Sequence, residues 1–401
     1  MLCRGAPWTC TSVASLPRLP RLPRLPGLPR LRAAGQVASA PPRKLRAHPQ
    51  AMCFLAVASR GRSKRVARFA KAGGQRPRLV LGLDGVLCAS AEEASSAACK
   101  AAYAIWPSVM KDAKEVSLNE AGVRQSWVEY DWERLLEHRS SAFTPAPPWL
   151  LYKVEQLRPA CQAEWELVLF ARLCVEEAVA CRANRAKGRR GARPLTVGEI
   201  ESNWLESGGL RDLLLARWGP NIGHLQEAMA EARRCHRGLS EDHLFKEVLE
   251  LVYLAVAEGA IEESVDVVTS RDQLSAVQAL QASTQIASEL ELAPDHQGSW
   301  ARKDGWRMHC ALGSVEEKVA AVQSLAKETG AGCGEGLVVV DDSVAFLRAC
   351  AAKLQLGAAK LCLANWGYVS HSHWADGRSR LPRVKELQGA ADLAAFLRDT
   401  A

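Results

Sequence analysis

The stretch Arg78-Leu79-Val80-Leu81-Gly82-Leu83-Asp84-Gly85-Val86-Leu87 decides the fold. Its first six residues form a short, mainly apolar run between Pro77 and an Asp-Gly turn, which reads as a strand buried on both faces. Such strands belong to parallel sheets covered by helices on both sides.

Working outward, Ser90 is placed to cap a helix that carries Ala97, Ala101, Ala104 and Ile105 at helical spacing and stops at Trp106-Pro107. A long helical pattern then runs to about residue 259. Within it Leu167, Phe170, Ala171, Cys174, Ala178 and Cys181 recur three and four apart, as on a buried helix face. The basic, glycine-containing break at 182–193 reads as a solvated loop. Thr196, with Glu199 three residues later, completes a capping box. The pattern changes after Glu263. Val265-Asp266-Val267-Val268-Thr269 is a second strand, followed by a helix over 271–282 and another over 315–329. Gly336-Leu337-Val338-Val339-Val340 is the clearest strand of the chain and ends at Asp341-Asp342. A helix over 344–354, a strand at Leu361-Cys362-Leu363 and a helix over 390–397 close the pattern. Strands that alternate with helices predict a doubly wound α/β sheet, whose chemistry sits at the carboxyl ends of the strands.

Asp84, Thr269, Lys318 and the Asp341-Asp342 pair stand at or near those ends. This is the inventory that phosphoryl transfer uses: carboxylates to hold Mg²⁺, a Lys and a hydroxyl to neutralise phosphate oxygens, and an acid to move a proton. An Asp also serves such chemistry as a covalent nucleophile. His371 and His373 offer too few partners for a metal site, and Trp366 and Tyr368 are expected to pack beside the sheet edge.

Leu81-Gly82-Leu83-Asp84-Gly85-Val86-Leu87 resembles the first motif of the haloacid dehalogenase-like (HAD) superfamily. Val268-Thr269-Ser270, Lys318 and Val340-Asp341-Asp342 match its second, third and fourth motifs in order. The segments around 97–107, 195–204, Asn365-Trp366-Gly367-Tyr368 and Leu381-Pro382-Arg383-Val384 are similar to plastid-targeted HAD-like proteins of plants and algae. The resemblance implies a HAD-like core over 76–90 and 260–401, with a helical cap over 91–259 inserted between the first two strands. It implies Asp84, Thr269 and Lys318 as catalytic groups, and Gly85, Thr269, Ser270 and Lys318 around the substrate. It further implies Asp84, Asp341 and Asp342 as ligands of Mg²⁺. The departure from the pattern is Gly82, which stands where the family carries its nucleophilic Asp. A glycine neither attacks phosphorus nor binds metal, so Mg²⁺ is expected to be held weakly. The function expected is binding of a small phosphorylated molecule, or regulation, with impaired phosphatase chemistry. The alternative is an active Mg²⁺-dependent hydrolase in which Asp84 assists water. Gly82→Asp should restore a nucleophile wherever the backbone accepts a Cβ.

The charge pattern bounds the rest. Of the 52 Lys and Arg residues in the 401-residue chain, 17 precede Asp84, the first acid, leaving 35 against all 44 acids. The folded part is therefore acidic, which disfavours nucleic acid as a partner. Residues 1–75, rich in Arg and repeating Leu-Pro-Arg, have the composition of an organelle transit peptide, plastid before mitochondrion, with cleavage expected between 59 and 75. The 13 cysteines show no C-x-x-C spacing and are expected to be reduced and buried. No stretch is apolar for long enough to predict a membrane span.

Overall fold

The computed structural model describes residues 76–123, 146–189, 192–204, 208–234, 243–281, 293–294, 300–301, 306–328, 332–369 and 383–400. β1 (Arg78–Gly82) lies in the middle of the sheet, parallel to β2 (Val265–Val268) on one side and to β6 (Leu337–Asp341) on the other. Beyond β2 stands β5 (Trp306–His309), with the short antiparallel β4 (Trp300–Ala301) and β3 (Ala293–Pro294) outside it. Beyond β6 come β7 (Lys360–Ala364) and β8 (Val384–Leu387), both parallel. The six parallel strands thus run β5-β2-β1-β6-β7-β8. This is the doubly wound order, and the chain reverses its direction of travel across the sheet between β1 and β6.

Alternate strand residues face opposite sides, as the pleat requires. Leu79, Leu81, Val265, Val267, Val338 and Val340 bury one face against α9 (Lys246–Ala257), α10 (Gln273–Gln281) and α13 (Ala390–Thr400). Val80, Val268, Leu337 and Val339 bury the other against α11 (Val315–Glu328) and α12 (Val344–Ala351). Each such side chain contributes about 1.5–3 kcal/mol on leaving water.

Between β1 and β2 the chain builds a second cluster from α1 (Ala91–Ile105), α2 (Pro107–Lys111), α3 (Leu118–Ala121), α4 (Pro148–Gln156), α5 (Glu166–Ala186), α6 (Val197–Trp204), α7 (Leu210–Trp218) and α8 (Ile222–Arg234). The first half of α5 is buried on all sides, from Glu166 to Ala171, and Phe170 packs against Trp204 with ring centroids 4.0 Å apart and planes tilted by 42°. α9 lies in the same inserted stretch, but its Val248, Leu249, Val252 and Ala255 join the cluster of the sheet.

Ser90 does not cap α1 as its position suggests. Its backbone is not extended (ψ 6°), and its hydroxyl is buried with no partner among the described residues. The first-turn N–H of Ala91 donates instead to the Tyr368 hydroxyl at 2.7 Å. Residues 1–75, Ala282, Thr329, His371, His373, Leu381 and Pro382 lie outside the described residues. Among those described, no helix is long and apolar enough to cross a membrane.

Candidate functional site at the carboxyl ends of β1 and β6

The chain turns sharply after β1: Leu87 and Cys88 donate to the Leu83 carbonyl at 2.9 and 3.0 Å, and Gly85 donates to that of Cys88 at 2.8 Å. Gly85 has φ +80°, and a Cβ there would run into the Asp342 carboxylate. Position 85 is thus fixed as glycine by conformation and by close approach. Gly85, expected around the substrate, packs against Asp342 and is not among the residues that line the cleft. The turn 365–368 clasps the same loop, since Trp366 Nε1 donates to the Val86 carbonyl at 3.1 Å and Tyr368 N to Asp342 Oδ2 at 2.8 Å. Trp366 and Tyr368 therefore hold the site loop rather than merely flanking the sheet.

Thr269 follows β2 and is tied from both sides. Its N–H donates to the His309 carbonyl at 3.0 Å, and its hydroxyl accepts from Arg271 N at 3.1 Å and donates to Asp84 Oδ2 at 3.4 Å. Asp341 ends β6 and accepts at Oδ1 from Ser343 N at 2.7 Å, while Ser343 caps α12 through Phe346 N. Lys318 projects from α11. The described residues line a narrow cleft, partly open to solvent. Gly82, Asp84, Thr269, Ser270, Asp341 and Asp342 line it from the strand ends, Lys318 from α11, and Arg158, Cys161, Gln162 and Glu164 from the inserted stretch. The cleft lies where the sheet reverses direction, the usual place for a ligand in this architecture.

Arg271 and its neighbours could not be picked out by motif. Arg271 Nε and Nη2 reach Asp84 Oδ1 at 2.9 and 2.7 Å, and Nε also reaches Oδ2 at 3.1 Å. The same Nη2 donates to Glu93 of α1 at 2.8 Å. Arg233 of α8 then joins Glu93, at 3.2 Å, to Glu164, which it binds through two nitrogens. These five side chains are buried and alternate in charge from sheet to insertion. Arg158 closes the far side, its guanidinium 5.6 Å from the Tyr368 ring centre and its Nε buried with no hydrogen-bond partner among the described residues.

Electrostatics follow from this packing. Burial opposes the Asp84 charge, but Arg271, helped by Arg233 and Arg158, outweighs it and holds the carboxyl well below the usual carboxylate range. Burial pushes Asp341 up, and burial with the Asp341 charge pushes Asp342 up to about 7. Burial also drives the Cys88 and Cys161 thiols well above their ordinary range, so neither is a thiolate nucleophile.

Asp84, Thr269, Ser270, Lys318, Asp341 and Asp342 are thus brought to one cleft. They fit Mg²⁺ poorly. Asp84 has both oxygens on Arg271, Gly82 has no donor side chain, and Asp341 and Asp342 each give an oxygen to a backbone N–H. A divalent ion that demands near-octahedral oxygen would find Asp84 already taken by a guanidinium and would rest on the second oxygens of Asp341 and Asp342 alone. Compared with models of protein families and with curated proteins, the chain matches none, so the geometry of this cleft carries the functional reading.

Proposed function

We propose that the chain is a HAD-like protein whose inserted helices cap the strand-end cleft, and that it binds a small phosphate-bearing molecule without hydrolysing it. The observation that carries this reading is the pairing of Asp84 with Arg271 beside a glycine at position 82. General acid catalysis needs a group that exchanges a proton near the working pH. A carboxylate locked on a guanidinium neither gives up a proton at neutral pH nor takes one readily from water. The covalent route is closed as well, because Gly82 has nothing to attack with. What remains supports binding: Lys318, Arg158 and Ser270 line the cleft, a combination suited to phosphate oxygens.

The test is an assay of the purified full chain on an aryl phosphate, with and without Mg²⁺, alongside thermal unfolding in inorganic phosphate. No turnover above the blank is expected. Phosphate should raise the midpoint of unfolding, and Lys318→Ala should remove most of that rise. Mg²⁺-dependent turnover abolished by Asp84→Asn would overturn the reading in favour of an active hydrolase.

A further inference from the structure

Around the carboxyl end of β1 stand five acids, Asp84, Glu93, Glu164, Asp341 and Asp342, and four bases, Arg158, Arg233, Arg271 and Lys318. Among the described residues, Arg271 is the one cation within ion-pair distance of Asp84. Its placement is built into the backbone. Arg271 N donates to Thr269 Oγ1 at 3.1 Å, and its carbonyl accepts from Ala311 N at 2.6 Å. Ala311 makes that bond from φ 58°, a conformation that a residue with a side chain adopts at a cost. The guanidinium itself is only 2 % exposed and is gripped a second time by Glu93 from the inserted helices.

We propose that Arg271 is the fixed counter-ion of the cleft, standing at Asp84 in the place of a divalent cation, so that the folded protein requires none. The guanidinium meets the carboxylate with two nitrogens, both on Oδ1, and its Nε also reaches Oδ2. A metal would have to displace a buried arginine from two acids at once. Removing Arg271 would leave Asp84 without its ion-pair partner and Glu93 short of one of its two buried cations. The inference concerns the protein's own charges and stands whether or not phosphate is the ligand.

Calorimetry and thermal unfolding of the full chain in MgCl₂ test it. The unmodified protein should show no saturable Mg²⁺ binding in the micromolar range and no rise in melting temperature. Arg271→Met frees Asp84 and should bind Mg²⁺ at least about tenfold more tightly, with a rise in melting temperature, because a buried unpaired carboxylate recruits a cation. Adding Asp84→Asn to that variant should abolish the gain. Should the Met variant fail to fold, Arg271→Lys carries the test, since a single ammonium keeps a charge but leaves one Asp84 oxygen free; an intermediate gain is then expected. Micromolar Mg²⁺ binding by the unmodified chain would overturn the proposal, and so would a folded Met or Lys variant with unchanged Mg²⁺ affinity.

Discussion

At position 82 two requirements for a carboxylate separate. The backbone there is not left-handed, so conformation alone admits a side chain. The space does not: a Cβ would lie 2.7 Å from Asp341 Oδ2 and 3.1 Å from Val86 Cγ2. The Asp341 carboxylate already fills the room beside Gly82 and is held there by Ser343 N. Gly82→Asp is therefore expected to lower stability by about 1–3 kcal/mol in urea unfolding, as overpacking does. It should remain inert on an aryl phosphate, because Asp84 stays on Arg271. Mg²⁺-dependent turnover in that variant would show that Asp341 and Arg271 both give way. Asp84, Thr269, Asp341 and Asp342 were legible in the sequence because each stands at or just past the end of a strand, and strand ends of one sheet meet at one edge; Lys318, inside α11, was legible only by its place in the motif series. Glu93, Glu164 and Arg233 were not. Periodicity says which face of a helix is buried, but not which charges on two distant helices meet there. Arg271 carried one usable signal, its place two residues after the strand-end Thr269.

Helix caps divide in the same way, by the range of the contact. The Thr196–Glu199 box was legible because it is local: Thr196 N donates to Glu199 Oε2 at 2.9 Å, and Glu199 N to Thr196 Oγ1 at 3.2 Å. The cap of α1 is not legible locally, because its acceptor, Tyr368, lies 277 residues away. Strands β5 and β8 escaped for another reason: each has four residues with mixed exposure, too short for alternation to stand out. The Thr196 box also makes a pH prediction. Hydrogen bonds from Arg193 and from Thr196 N hold Glu199 down at about 2, against an ordinary value of 4.5. A depressed carboxyl stabilises the fold above its unfolded value and loses that contribution as pH falls toward its folded value. Glu199→Gln should cost about 0.5 kcal/mol at pH 7, as exposed pairs do. The gap to the parent should narrow from about pH 4.5 downward and close near pH 2. Urea melts at pH 7 and pH 3 measure it, and an undiminished gap at low pH would refute the assignment.

Across the whole molecule, the alternation of strands and helices was legible, whereas the strand order that puts β1 at the centre is a property of long-range pairing alone. The same holds for the charges buried at the other end of the strands. Asp266, fully buried in β2, takes Arg78 Nε at 2.7 Å, Arg307 Nε at 3.0 Å and His309 Nε2 at 2.9 Å. Glu328 of α11 binds both arginines in turn, at 3.0 and 3.1 Å. One carboxylate thus ties β1, β2, β5 and, through the arginines, a covering helix. Asp266→Ala strands the buried Arg78 without its main partner and should cost about 3–5 kcal/mol in urea unfolding; a loss below about 1 kcal/mol would show that Glu328 suffices. The central position of β1 has a further consequence, for synthesis. The neighbour β6 and the Trp366 that holds the β1 loop, 280 residues beyond Val86, are made long after β1 itself. Topologies closed by such distant partners fold slowly and leave apolar edges bare meanwhile. Any nascent chain that stops short of β6 carries β1 with one edge open, so β1 stays an unsatisfied template for pairing until that strand has been made.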